Sequence, residues 1–248
     1  MNKARPETTL SALVFAAVVA LGCALIISTT VYWLRPLQME EGANDYIRAL
    51  INAAGLNAVA GDATDHEISE LYQQFEVQVL DLDSLAFTSE INPARFDHRL
   101  QFESGQRNSP RFMPIYLIRD GERIQTAVLP FYARGMWSGI HGFVALSDDL
   151  STISGVSIYE HGETPGIGDR IQAAEWLKQW EGKRLYGKND EYRFTISAIP
   201  ENEAAQHAVD TITGATVTVS AVDAAMSRWF GNDGYAPILA EWRAEQDK

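Results

Sequence analysis

From Thr8 to Leu34 the chain runs 27 residues without an Asp, Glu, Lys, Arg or His, and nothing else in the sequence restricts the fold as strongly. About 20 such residues in a helix cross a hydrocarbon core roughly 30 Å thick. The run is therefore long enough to span a membrane, either with some tilt or with its Ser/Thr-rich end among the headgroups. A cleaved signal peptide has an apolar region of only about 7–15 residues, which makes this run too long. A lipoprotein signal would use Ala20-Leu21-Gly22-Cys23, but the apolar stretch continues eleven residues past Cys23, where a lipidated chain turns polar. A buried core helix is the remaining reading, and the length argues against it.

Lys3 and Arg5 precede the run, whereas Arg35 is soon followed by Glu40 and Glu41. The positive-inside rule then predicts a cytoplasmic N-terminus and an external main domain. Residues 1–34 hold Lys3, Arg5 and Glu7; the remaining 18 basic and 32 acidic side chains leave the rest of the chain at −14. That charge keeps a domain soluble and away from anionic headgroups, and points to membrane proteins or neutral cofactors as partners. It also argues against nucleic acid, whose binding needs clustered Lys and Arg. A single Cys excludes an internal disulfide, a four-thiolate cluster and a CxxC zinc site. The five histidines come no closer than twenty residues to one another, so no local ligand pair exists and no metal is expected.

Beyond Arg35-Pro36 a helix is predicted with Tyr46, Ile47, Leu50, Ile51 and Ala54 on one face and Gly55 at its end. A second helix is predicted after Asp65, with Ile68, Leu71, Tyr72 and Phe75 at helical spacing. Val77, Val79 and Leu82 read as a strand, and residues 84–112 give no assignable pattern. Residues 114–129 read as a hairpin turning at Asp120-Gly121. Further strands are expected at 143–146, 153–159 and 192–199. Asp169 is predicted to open a helix burying Ile171, Ala174, Leu177 and Trp176 or Trp180. Helices near 218–230 and 237–245 close the chain. Mixed elements without a βαβ rhythm predict an α+β fold: a tail and transmembrane helix at 1–34, then a mixed α/β extracytoplasmic domain at 35–248.

Three stretches rich in glycine, threonine and aromatic residues are the candidate site: Gly135-Met136-Trp137-Ser138-Gly139, His161-Gly162-Glu163-Thr164-Pro165-Gly166-Ile167-Gly168, and Asp210-Thr211-Ile212-Thr213-Gly214-Ala215-Thr216. Glycine lets backbone approach a flat ligand, and Trp and Met offer an apolar face to an aromatic ring. Val219, Val222, Met226 and Trp229 share one helical face, which puts Thr216 near a helix N-terminus, where free N–H groups and the dipole favour phosphate. A phosphate-bearing aromatic cofactor suits all three stretches. The plain alternatives are tight turns at the first two and an N-cap at Thr216 or Thr218. Glu163 near His161 has no nucleophile or metal beside it, and no GxSxG, Walker A or GxGxxG motif in strand–helix context occurs. No catalytic residue is assigned.

On these stretches, together with Leu34-Arg35-Pro36-Leu37-Gln38, Gly142-Phe143-Val144-Ala145-Leu146 and Trp180-Glu181-Gly182-Lys183, the sequence resembles the C subunit of the bacterial sodium-translocating NADH:quinone oxidoreductase over nearly its whole length. The most specific element is Asp-x-x-(Ser/Thr)-Gly-Ala-Thr, which a flavin transferase reads in that family to join FMN through its phosphate to the last threonine. The resemblance implies one covalent FMN per chain on Thr216, framed by Thr213, Gly214 and Ala215. The flavin ring would lie against Glu163, Thr164, Pro165, Gly166, Ile167 and Gly168 and near Met136 and Trp137. It further implies an electron relay among the other members of a six-protein assembly in the bacterial inner membrane, embedded through residues 8–34, on the route from NADH to ubiquinone that drives sodium export. Members of the family often carry Gly at the position of Ala133 and Leu at those of Met136 and Ile167, which touches fine packing around the ring only.

Two rivals compete with this reading. The G subunit of the related Rnf electron-transport complex resembles the chain in the Thr-Gly-Ala-Thr motif and the Glu-Thr-Pro-Gly loop, but not in the stretch between Asp65 and Pro130. A non-redox, membrane-anchored binding or assembly protein would use Thr216 only to cap a helix.

Overall fold

The computed structural model describes residues 9–56, 63–103, 110–199 and 202–246, and the chain divides into two units, Met1–Asp45 and Tyr46–Lys248. Helix α1, Thr9–Ala53, begins in the first and ends in the second. Its Thr9–Leu34 portion has a mean hydropathy of 2.8 and buries none of its length. Thr29 and Thr30 donate their hydroxyls back to the carbonyls of Leu25 and Ile26 at 2.7 and 2.9 Å, so neither leaves a polar group unsatisfied in an apolar surrounding. The helix runs unbroken through Arg35-Pro36.

In the second unit a six-stranded antiparallel sheet is ordered β2-β1-β3-β4-β5-β6. Its strands are β1 (Glu76–Asp81), β2 (Ala86–Thr88), β3 (Phe112–Asp120), β4 (Arg123–Arg134), β5 (Gly139–Leu146) and β6 (Ile153–Glu160). The sheet is covered on both faces, which is why its central strands read as near-continuous apolar runs instead of alternating ones. On one face the end of α1 supplies Leu50, Ile51 and Ala53, and α2 (Asp65–Tyr72) supplies Ile68; they pack on Tyr116, Val128, Phe143 and Ala145. A capping box starts α2: Thr64 N–H donates to Glu67 Oε2 at 2.7 Å while Glu67 N–H donates to Thr64 Oγ1.

On the other face lie α5 (Thr216–Phe230) and α6 (Ala236–Gln246). Val219, Val222, Met226 and Trp229 of α5 are buried against Leu129, Phe131 and Ala133 of β4. Polar tips of buried aromatics fasten these layers. Trp229 Nε1 donates to Tyr132 O at 2.8 Å, Tyr235 Oη to Pro130 O at 2.8 Å and Tyr186 Oη to Phe230 O at 2.9 Å.

Residues 84–112, which show no pattern in the sequence, hold β2, a 3-10 turn at Pro93–Arg95 and α3 (Arg99–Glu103) among their described part. Each is too short to show a period. Phe102 of α3 stacks on Tyr132 with ring centroids 4.2 Å apart, and Arg111 pairs with Asp81 at 2.7 Å.

Two expectations are corrected. The helix expected from Asp169 is broken into a 3-10 turn at Gly168–Gln172, α4 (Ala174–Leu177) and a second 3-10 turn at Lys178–Trp180. Ile171, Trp176 and Trp180 are buried, but Ala174 is exposed and Leu177 only half-buried. The break falls at Ala173, whose extended backbone (φ −63°, ψ 126°) ends the first turn before either indole. The strand expected at 192–199 shrinks to β7 (Thr195–Ile196), paired in parallel with β8 (Ala208–Val209).

Candidate functional site

The three glycine- and threonine-rich stretches converge at the N-terminal end of α5. The loop entering it is pinned from below. Trp176 Nε1 donates to Asp210 O at 2.8 Å, Gln179 Oε1 accepts from Asp210 N–H, and Ile212 is buried. Ala215 N–H then bonds back to Ile212 O at 3.1 Å, folding residues 212–215 into a turn. Gly214 sits at φ +88°, a region an L side chain rarely adopts. Thr213, Gly214 and Thr216 are exposed and Ala215 is buried.

The N-cap of α5 is Ala215, with no side-chain cap bond, so neither Thr216 nor Thr218 plays that role. Thr216 is the first helical residue, and the first intrahelical bond runs from Val219 N–H to Ala215 O at 2.9 Å. The N–H groups of Thr216, Val217 and Thr218 precede it. A helix end of this kind offers donors and the positive end of the dipole to an anion.

The second stretch folds over this end. Ile167 N–H and Gly168 N–H donate to Thr164 O at 3.2 and 2.9 Å, with Gly166 at φ +78° between them. A Cβ added at Gly214 would lie 3.9 Å from Ile167 Cγ2, so the two loops touch. Thr164, Pro165, Gly166 and Ile167 are exposed; Gly168 is buried, packed where a Cβ would come within 2.8 Å of Glu163 Cβ.

The first stretch is the turn between β4 and β5, closed by Gly135 N–H to Ser138 O at 2.9 Å. Ser138 Oγ accepts from Gly162 N–H, and Trp137 Nε1 donates to Thr164 Oγ1 at 3.0 Å, which ties the turn to the second stretch. Met136 and Trp137 remain 57% and 68% exposed. Glu163 behaves differently from its neighbours. It is buried, and its carboxylate accepts from Trp137 N–H at 3.1 Å and from Thr218 Oγ1. It turns inward as a bridge between loop and helix, away from the exposed surface on which the rest of its loop stands.

Sequence reasoning considered Thr218 only as an N-cap and missed its bond to Glu163, and it missed Val217 and the structural part of Ser138. Thr218 lies one helical turn from Ala215 on the buried side, and Val217 stands 57% exposed beside Thr216, so only the helix phase distinguishes them. Together the site offers free helix-end donors next to a hydroxyl and four exposed apolar side chains, Met136, Trp137, Ile167 and Val217, on the surrounding loops and first turn. A phosphate joined to a flat aromatic ring fits this set: donors for one end, an apolar ledge for the other. Among the described residues no group of His, Cys, Asp and Glu is arranged to hold a metal ion.

Residues 135–231, which contain all three stretches, match the family model of the FMN-binding domain. The chain is 31% identical to the C subunit of the Na(+)-translocating NADH-quinone reductase of Haemophilus ducreyi, over 98% of each. It is 30% identical to the protein of the same name from Pseudomonas aeruginosa, over 97% of this chain and 98% of the relative. The crystal structure of Shewanella oneidensis NqrC is similar with a TM-score of 0.70 at 28% identity, over 83% of this chain and 99% of that one. The chain belongs to the family of C subunits of Na+-translocating NADH-quinone reductases.

Proposed function

We propose that this chain is an electron-relay subunit of a sodium-translocating NADH:ubiquinone reductase, bearing one FMN as a phosphoester on Thr216. The observation that carries the reading is the placement of Thr216: an exposed hydroxyl at the first position of a helix whose N-terminus no side chain caps, at the meeting point of three loops. FMN, when bound, supplies electron transfer; the protein supplies attachment, orientation and surroundings. Thr216 Oγ1 would hold the phosphorus. The N–H groups of the first turn would share the negative charge of the phosphate, and Met136, Trp137, Ile167 and Val217 would keep water from one side of the ring. Thr164, Pro165, Gly166 and Gly168 shape the floor between them, with Thr213, Gly214 and Ala215 as the approach. A covalent tether lets an exposed cofactor exchange electrons repeatedly without being lost. The protein is part of an oxidoreductase and has no turnover of its own.

The same reading places the Thr9–Leu34 helix in the bacterial inner membrane, with the N-terminus cytoplasmic and the main domain periplasmic. The partners are then the five other proteins of the six-protein assembly and, during maturation, a flavin transferase. Relatives named as C subunits that align over nine-tenths or more of both chains favour this assembly over the related Rnf complex and its G subunit. Co-expression of the full chain with a flavin transferase and denaturing electrophoresis under ultraviolet light tests it. A fluorescent band at the chain's mass is expected, and a dark band would favour an anchored binding or assembly protein instead.

A further inference from the structure

Glu163 is 4% exposed, in a loop whose neighbours Gly162, Thr164, Pro165, Gly166 and Ile167 are all exposed. Its two oxygens are divided between two elements: Oε1 accepts from Trp137 N–H at 3.1 Å and Oε2 from Thr218 Oγ1. Two glycines make room for it, since a Cβ on Gly135 would fall 2.4 Å from Glu163 Oε1 and one on Gly168 2.8 Å from Glu163 Cβ. Trp137 is held at its other end as well, because its indole Nε1 donates to Thr164 Oγ1 at 3.0 Å. A large aromatic side chain that is 68% exposed is thus anchored through both backbone and ring to two consecutive residues of one loop, and that loop is anchored to the first turn of α5. An exposed indole with no such anchors would rotate freely and lose that freedom on meeting a ligand.

We infer that Glu163 and Thr218 form a positioning clasp, which fixes the Trp137 ledge relative to the Thr216 end of α5 and so sets the order of a tethered flavin ring, not its attachment. The inference rests on the reading of Thr216 as the attachment point. A phosphoester leaves the ring on a flexible chain, and a ledge already fixed in place restrains it at less entropic cost. Glu163 acts here through its two donors and touches neither the phosphate nor the ring.

The test uses the full chain, co-expressed with a flavin transferase and purified in detergent. Thr218→Val keeps the side-chain shape and removes the hydroxyl donor. It is expected to give a fluorescent band of wild-type intensity on a denaturing gel, with lower flavin fluorescence anisotropy and a midpoint potential moved towards that of free FMN. Glu163→Gln can still accept from Trp137 N–H and donate to Thr218 Oγ1, so it is expected to keep more of both properties than Glu163→Leu. Thr164→Val, at an exposed position, releases the indole without disturbing the core and is expected to lower anisotropy in the same direction. Unchanged anisotropy and potential in Thr218→Val, or equal behaviour of the Gln and Leu variants, would overturn the clasp. Loss of the band in Thr218→Val would overturn its assignment to ring order, whereas a dark wild-type band would instead overturn the reading of Thr216.

Discussion

Gly214 lies against Ile167: a Cβ on the glycine would sit 3.9 Å from Ile167 Cγ2, an ordinary contact, so what demands glycine here is the backbone angle of +88°. Gly214→Ala is therefore expected to cost conformational strain without a clash, about 1–2 kcal/mol. The urea unfolding midpoint should fall with the slope unchanged, and the turn that presents Thr216 should load less flavin.

Gly155 presents the opposite case. Its backbone angle is ordinary, but a Cβ would fall 2.3 Å from the carbonyl oxygen of Ala53, at the end of α1. Backbone cannot swing aside as a side-chain tip can, so Gly155→Ala must push the helix end off β6. A loss of about 2–3 kcal/mol is expected, larger than at Gly214, in thermal or urea unfolding.

His98 gives the stability a pH dependence. It is 3% exposed, and burial pushes its imidazole down from the ordinary 6.5 to about 3, with Asp97 opposing the shift. The folded chain keeps it neutral while the unfolded chain takes up a proton below about pH 6.5. This contribution is fully present above that pH and is lost as pH falls towards 3, by at most about 1.4 kcal/mol per unit. His98→Gln should flatten that limb of the unfolding midpoint plotted against pH.

Much of this architecture is legible in the sequence where local chemistry agrees with the fold. The face Val219, Val222, Met226 and Trp229 is buried as its spacing predicts, and the hairpin turns after Asp120 as Gly121 predicts. Other features are set by partners distant in sequence. Trp176 and Trp180 both reach the core as their spacing suggests, but the helix expected from Asp169 is interrupted at Ala173, whose extended backbone no residue type there announces. Glu163 turns inward because Trp137 and Thr218 donate to it from two other elements, and no motif within its own loop announces that. The exposure of Met136 and Trp137 is likewise a property of the assembled surface.

The proposed orientation, with the N-terminus cytoplasmic, follows from Lys3 and Arg5 by the positive-inside rule. A reporter fused after Lys248 that is active only outside the cytoplasm should be active, and one active only inside should be silent; the reverse pattern would put the domain on the other side.

The proposed attachment of the cofactor turns on the hydroxyl of Thr216. Peptide mass spectrometry of the full chain, matured with a flavin transferase, should find FMN less one water on the peptide containing Thr216, and Thr216→Ala should carry none. Flavin retained by Thr216→Ala, or mapped to Thr211, Thr213 or Thr218, would contradict it.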